Sequence, residues 1–68
     1  MDEKIIRIVK QQMRMIRDKK DERDARACYY ETAGMLRGFR HCEAIDSMQL
    51  LVLTELAGNA YINAGRPW

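Results

Sequence analysis

The stretch FRHCE, residues 39–43, places an imidazole, a thiol and a carboxylate side by side, and these groups serve nucleophilic catalysis and metal binding. A catalytic pair needs the imidazole to reach the thiol in space, which adjacent sequence positions do not ensure. A zinc site needs about four ligands, and the chain has one histidine and two cysteines. We interpret the stretch as a connection between helices that carries a semi-buried thiol. A zinc ion shared across a dimer through His41 and Cys42 is the minor alternative.

Other catalytic sets are missing from the sequence. It contains no glycine-rich phosphate-binding loop, no paired carboxylates in an apolar setting and no Ser-His-Asp set. Catalysis also needs a cleft, which so short a chain rarely forms alone. We therefore expect a non-enzymatic protein without a cofactor, a bound metal or a small-molecule substrate.

A basic stripe is the clearest candidate binding feature. At 100° per residue, its four members fall within about 80° of arc on one side of the first predicted helix; they are Arg7, Lys10, Arg14 and Arg17. Such a stripe keeps a small protein soluble, faces an acidic protein surface, or follows a phosphate backbone. The nucleic-acid alternative is weakened because the total charge of +2 is low and no helix-turn-helix spacing is evident.

Three further side chains are candidate anchors for a partner. Tyr30 and Arg37 face away from the apolar side of the second predicted helix, and Trp68 ends the chain. Tyrosine, tryptophan and arginine dominate the energetic hot spots of protein interfaces. We therefore add these residues to the stripe as a hypothetical partner-binding set.

The length of the chain limits what it can form alone. Sixty-eight residues make a single domain, 1–68, and a chain of this size buries only about 60% of its unfolded surface. The opening Met1-Asp2-Glu3 does not resemble a secretion signal, so we expect a cytoplasmic protein with both thiols reduced. No stretch approaches the roughly 20 apolar residues of a membrane span. Self-association is the expected source of additional core.

Apolar periodicity predicts an all-α fold of three helices, at about 3–18, 21–39 and 46–63, arranged as a compact unit or a helical hairpin. No glycine precedes Gly34 and the only proline is Pro67, so nothing interrupts a helix early in the chain. In IDSMQLL, Asp46 and Gln49 have the spacing of a capping box at the start of the third helix.

The charged run RDKKDERDAR, residues 17–26, decides between two arrangements. Every residue in it tolerates a helix, but the apolar stripe is interrupted there and resumes at Ala25 in a different phase. We predict a break near Asp18–Glu22, with Asp18 or Asp21 as the N-cap of the second helix. The alternative is one long helix whose middle stands clear of the core.

The third helix is apolar on almost all sides and must be surrounded. Because two short helices cannot easily cover it, we predict a homodimer through this helix. The proposed interface consists of Leu50, Leu51, Leu53, Ala57 and Tyr61.

Together these features predict a small regulatory protein that modulates a protein partner by occupying its surface, as bacterial and phage accessory regulators do. One alternative is a nucleic-acid-binding protein that uses the same stripe. Another is a structural subunit that completes a larger assembly through its apolar third helix.

Overall fold

The computed structural model describes residues 1–67 and contains three helices, α1 (Glu3–Asp18), α2 (Glu22–His41) and α3 (Ser47–Ile62). The predicted all-α fold is confirmed, and each helix boundary lies within two residues of its predicted position. The helices alternate in direction, so α1 and α3 run parallel and α2 runs antiparallel to both. Each helix packs against the other two.

The charged run contains a sharp turn between α1 and α2. Asp21 caps α2 by accepting a hydrogen bond from the backbone N–H of Arg23 at 2.8 Å. Lys19 ends α1 in an extended conformation. The predicted break is therefore confirmed, with Asp21 as the N-cap. Tertiary packing outweighs local helix propensity here, because a continued helix would have carried lysines and an arginine at positions that face the core.

The start of α3 has the predicted capping box. The Asp46 carboxylate accepts from the backbone N–H of Gln49 at 2.7 Å, and the Gln49 side chain accepts from the backbone N–H of Asp46 at 2.9 Å. Ile45, just before the cap, is buried, and Leu50 packs against the same cluster. These contacts define the direction in which the chain enters α3.

The core consists of two apolar clusters stacked along the helices. The upper cluster contains Val9, Leu36, Ile45 and Leu53, and the lower one contains Ile16, Cys28, Ala57 and Ala60. Thr32 is the one buried polar residue between positions 1 and 67. Its hydroxyl donates to the Cys28 carbonyl at 2.9 Å and lies 3.1 Å from the side-chain amide of Gln12. Its polar atom is therefore satisfied, as burial requires.

Two exposed glycines in α2 make this helix less stable than alanine would. At Gly34 and Gly38, an added Cβ would have no atom within 4 Å. We expect Gly34→Ala and Gly38→Ala each to raise the free energy of unfolding by about 1 kcal/mol, because alanine restricts the unfolded chain and favours the helix. Urea-induced unfolding followed by circular dichroism measures this change.

Gly65 is the matched control for those two substitutions. Its φ of +77° lies in the left-handed region, and an added Cβ would lie 3.2 Å from the carbonyl oxygen of Lys19. We expect Gly65→Ala to destabilise the protein. A stabilised Gly65→Ala variant, or destabilised variants at positions 34 and 38, would contradict this account of the backbone.

Candidate protein-interaction surface

The interpretation of FRHCE as a connection with a semi-buried thiol is wrong, because residues 39–41 form the last turn of α2 and the Cys42 thiol is exposed. His41 ends α2 and Cys42 caps it, both exposed, whereas Cys28 is buried in the lower core cluster. Burial raises the pKa of the Cys28 thiol above its ordinary value, which reduces the thiolate form needed for reactivity. Between residues 1 and 67, no three His, Cys, Asp or Glu side chains are grouped to hold a metal ion.

In the structure, three residues of the basic stripe are exposed, and the fourth, Arg17, forms hydrogen bonds within the chain. Arg7, Lys10 and Arg14 are exposed on the outer side of α1. Arg17 instead reaches the end of α3, where Nη1 donates to the Asn63 carbonyl at 2.6 Å. Its Nη2 donates to the carbonyls of Pro67 at 3.2 Å and Arg66 at 3.5 Å. Arg17 therefore stabilises the C-terminal turn of α3, and the free stripe has three members.

An apolar groove between α1 and α3 lies directly beside this stripe. It encloses about 470 Å³ and is lined by Met1, Ile6, Val9, Lys10, Met13, Arg14, Leu53 and Leu56. Lys10 and Arg14 thus border a predominantly apolar floor. At 100° per residue, Ile6 and Met13 lie at the edge of the apolar face of α1. Their position between that face and the stripe was the only signal of a groove there.

The side of α3 that faces solvent is apolar. We call it the outer face of α3; its residues are Met48, Leu51, Val52, Glu55, Leu56, Asn59 and Ile62. Its five large apolar side chains are between 47% and 67% exposed. Glu55 is the only charged residue in the helix. Its apolar pattern on all sides predicted that two helices would not cover this helix, and α1 and α2 indeed cover only one side of α3.

The predicted dimer residues fall on different sides of α3. Leu53 and Ala57 are buried in the core of the chain itself, and Leu50 and Tyr61 are half-buried. Leu51 is the member that lies on the outer face. Because Leu53 and Ala57 contact α1 and α2, they have no surface left to offer a second chain. A dimer through α3 must use the outer face instead.

The α2 candidates lie on the opposite flank of α3 from the stripe. Tyr30 is 63% exposed, with its ring centroid 5.5 Å from that of Tyr29. Arg37 lines another, smaller groove between α2 and α3, together with Ala33, Leu50, Leu51 and Thr54. Lys10 and Arg14 therefore border one side of α3, and Arg37 borders the other. Trp68 lies outside the described residues.

The tyrosine cluster behind Tyr30 joins the helix ends. Tyr29 stacks on Tyr61 with ring centroids 5.4 Å apart. The Tyr61 hydroxyl donates to the Glu22 carboxylate, and this hydrogen bond raises the pKa of Tyr61. Arg26 also pairs with Glu22 at 3.2 Å. Tyr61 therefore serves the contact between α3 and α2 rather than a free surface.

Comparisons of the chain with protein-family models, curated proteins and solved structures gave no significant match. None of the helices within residues 1–67 is long and apolar enough to cross a membrane.

Proposed function

We propose that this chain is a small non-enzymatic regulatory protein of the bacterial or phage accessory type, which binds a protein partner through the groove between α1 and α3. We further propose that it acts in the cytoplasm as a homodimer. The observation that carries the proposal is the position of Lys10 and Arg14 at the border of an apolar groove. The mechanism is steric, because a partner segment held in the groove is hidden from its other targets.

The chemistry of the groove favours one kind of ligand. Its apolar floor gains free energy when covered, at about 25 cal/mol per Å² of apolar surface removed from water. Its basic border selects for negative charge and steers the partner's approach. An amphipathic helix with an apolar face and acidic flanks provides both features, and helices of this kind bind hydrophobic grooves in many regulators. We therefore propose an acidic amphipathic segment as the ligand.

A nucleic-acid ligand fits this surface less well. Arg17, the last residue of the stripe, donates a hydrogen bond to the Asn63 carbonyl at the end of α3, which leaves three exposed basic residues. Phosphate contacts are electrostatic and use basic side chains, so they gain nothing from the apolar lining formed by exposed residues such as Ile6 and Leu56. A protein segment can contact both the apolar floor and the basic border, whereas a nucleic acid would use only the basic border.

Charge reversal at the groove is the test of this proposal. We expect selection from a random peptide library to enrich peptides that combine acidic residues with apolar residues three or four positions apart. The variant Lys10→Glu/Arg14→Glu should bind these peptides at least about tenfold more weakly, because two attractive border contacts become repulsive. Fluorescence anisotropy with the enriched peptides measures the dissociation constants.

The matched control is Lys20→Glu/Arg23→Glu, which makes the same charge change at exposed positions that do not line the groove. This variant should keep its affinity within about threefold, since exposed charges at a distance are screened. Equal loss in both variants, or no enrichment of acidic peptides, would contradict the proposal. Binding of duplex DNA at low salt that weakens sharply at about 0.2 M salt would instead support the nucleic-acid alternative.

A further inference from the structure

We infer that the outer face of α3 binds a second copy of this chain, with the two α3 helices antiparallel and a two-fold axis beside Val52. This inference rests on the homodimer in the proposed function, and the interface shares one residue, Leu56, with the lining of the α1–α3 groove. It assigns an interface, an orientation and one charge pair.

The apolar ridge of the outer face is symmetric about Val52. Met48, Val52 and Leu56 are spaced four residues apart and form one row along the helix surface. A two-fold axis beside Val52 reverses this row, so Met48 of each copy meets Leu56 of the other. Contiguous exposed apolar surface of this kind is typical of protein interfaces.

The charges on this surface complement one another in the same arrangement. Glu55 is the only charged residue of α3, and Arg37 borders the outer face from α2. Among residues 1–67, neither side chain forms a hydrogen bond or an ion pair within its own chain. Both members of a charge pair thus lie unpaired on one patch, as a self-complementary two-fold interface requires.

The position of Arg37 along the axis of α3 is defined by the contacts of Leu36 and Arg40, its neighbours in α2. Arg40 donates to the Ser47 hydroxyl at 3.1 Å, and Leu36 packs in the same cluster as Leu53. Because α2 runs antiparallel to α3, Arg37 lies level with Leu50 and Leu51, about one turn before Glu55. Reversal about Val52 brings Arg37 of each copy close to Glu55 of the other.

Other orientations place like charges together. A parallel dimer would set Glu55 beside Glu55 of the second copy, and so would an antiparallel dimer whose axis passes Glu55. With the axis at Val52, the two carboxylates are separated by about 9 Å along the helices, since each lies three residues of about 1.5 Å rise from the axis. The same axis sets the two α1–α3 grooves on one side of the dimer.

A charge-swap series tests the interface. We expect the wild-type protein at micromolar concentration to have about twice its 8.0 kDa chain mass by light scattering. Glu55→Arg and Arg37→Glu should each weaken dimerisation at least about tenfold, because each single change creates two like-charge contacts. The double variant Glu55→Arg/Arg37→Glu should recover the dimer. Circular dichroism of each variant checks that the helices are retained.

Cysteine cross-linking tests the orientation independently. In a Cys28→Ala/Cys42→Ser background, Val52→Cys should form a disulfide-linked dimer on mild oxidation. Ile62→Cys should not, although Ile62 is more exposed than Val52. Position 62 lies ten residues from the axis, so its two copies are about 30 Å apart, far beyond disulfide range.

Each outcome bears on a different part of the inference. A monomeric wild-type protein would overturn the dimer and with it the interface, but not peptide binding in the groove. A dimer that ignores the single charge changes, or that the double variant fails to restore, would overturn this interface while leaving the homodimer in place. Cross-linking at position 62 that equals cross-linking at position 52 would overturn the antiparallel orientation.

Discussion

Ile16→Ala should lower the free energy of unfolding by about 2–5 kcal/mol, because Ile16 is among the largest fully buried side chains. Ile16 is 0% exposed and packs with Cys28, Ala57 and Ala60. Its buried neighbours are small and lie on the helix backbones, so they fill little of the space that three lost methyl and methylene groups would leave. A 68-residue domain has a stability of only about 3–10 kcal/mol, and much of it depends on this side chain.

Ile8→Ala is the matched control, because it makes the same chemical change in the same helix. Ile8 is 39% exposed and belongs to neither core cluster. We expect a loss below about 1 kcal/mol, partly offset by the higher helix propensity of alanine. Urea-induced unfolding of both variants, followed by circular dichroism, gives the comparison. Losses of similar size would mean that the lower cluster is not the tightly packed part of the core.

Arg17→Ala should lower the free energy of unfolding by about 2 kcal/mol, a large effect for a residue on the outer side of a helix. The guanidinium donates to the carbonyl of Asn63, the C-cap of α3, and to the carbonyl of Pro67 in the segment that follows the helix. Hydrogen bonds to charged groups contribute about 1.5–3 kcal/mol, and a cation near the C-terminus of a helix also interacts favourably with its dipole. Removing Arg17 loses both contributions.

The Arg17 backbone strengthens the same junction. Its carbonyl, at the C-terminal end of α1, accepts a hydrogen bond from the backbone N–H of Gly65 at 2.8 Å. The ends of α1 and α3 therefore satisfy each other's unpaired groups. Loss of the Arg17 side chain should weaken the contact between these two helix ends. Hydrogen exchange of the Gly65 amide should therefore become faster in Arg17→Ala.

Arg7→Ala is the control for Arg17→Ala, since both arginines lie on α1 and carry the same charge. Arg7 is exposed, and surface substitutions of this kind usually change stability by less than about 0.5 kcal/mol. Equal stabilities for the two variants would contradict a structural role for Arg17. Arg17 is therefore unsuitable for testing partner binding, because its substitution would weaken the fold as well.

The sequence by itself determined the helices and the turn between the first two. The Asp46–Gln49 capping box, an aspartate N-cap at Asp18 or Asp21 and the absence of glycine and proline before Gly34 are local signals, and each acts within a few residues of its own position; the structure selects Asp21. The interruption of the apolar stripe in residues 17–26 also predicted the turn correctly. Local chemistry and periodicity are sufficient for these features, because a helix end is satisfied or left unpaired by its nearest neighbours.

Only the tertiary structure decided which surfaces are free. Periodicity assigns each residue an angle around its own helix axis, but it does not say on which side the neighbouring helices pack. For α3, which is apolar on almost all sides, Leu53 and Ala57 became core while Met48, Val52 and Leu56 stayed in solvent. Arg7 and Arg17 look equivalent in the stripe, and only the approach of the α3 terminus separates them. The groove beside Lys10 and Arg14 exists only where two helices meet, so no single-helix pattern contains it.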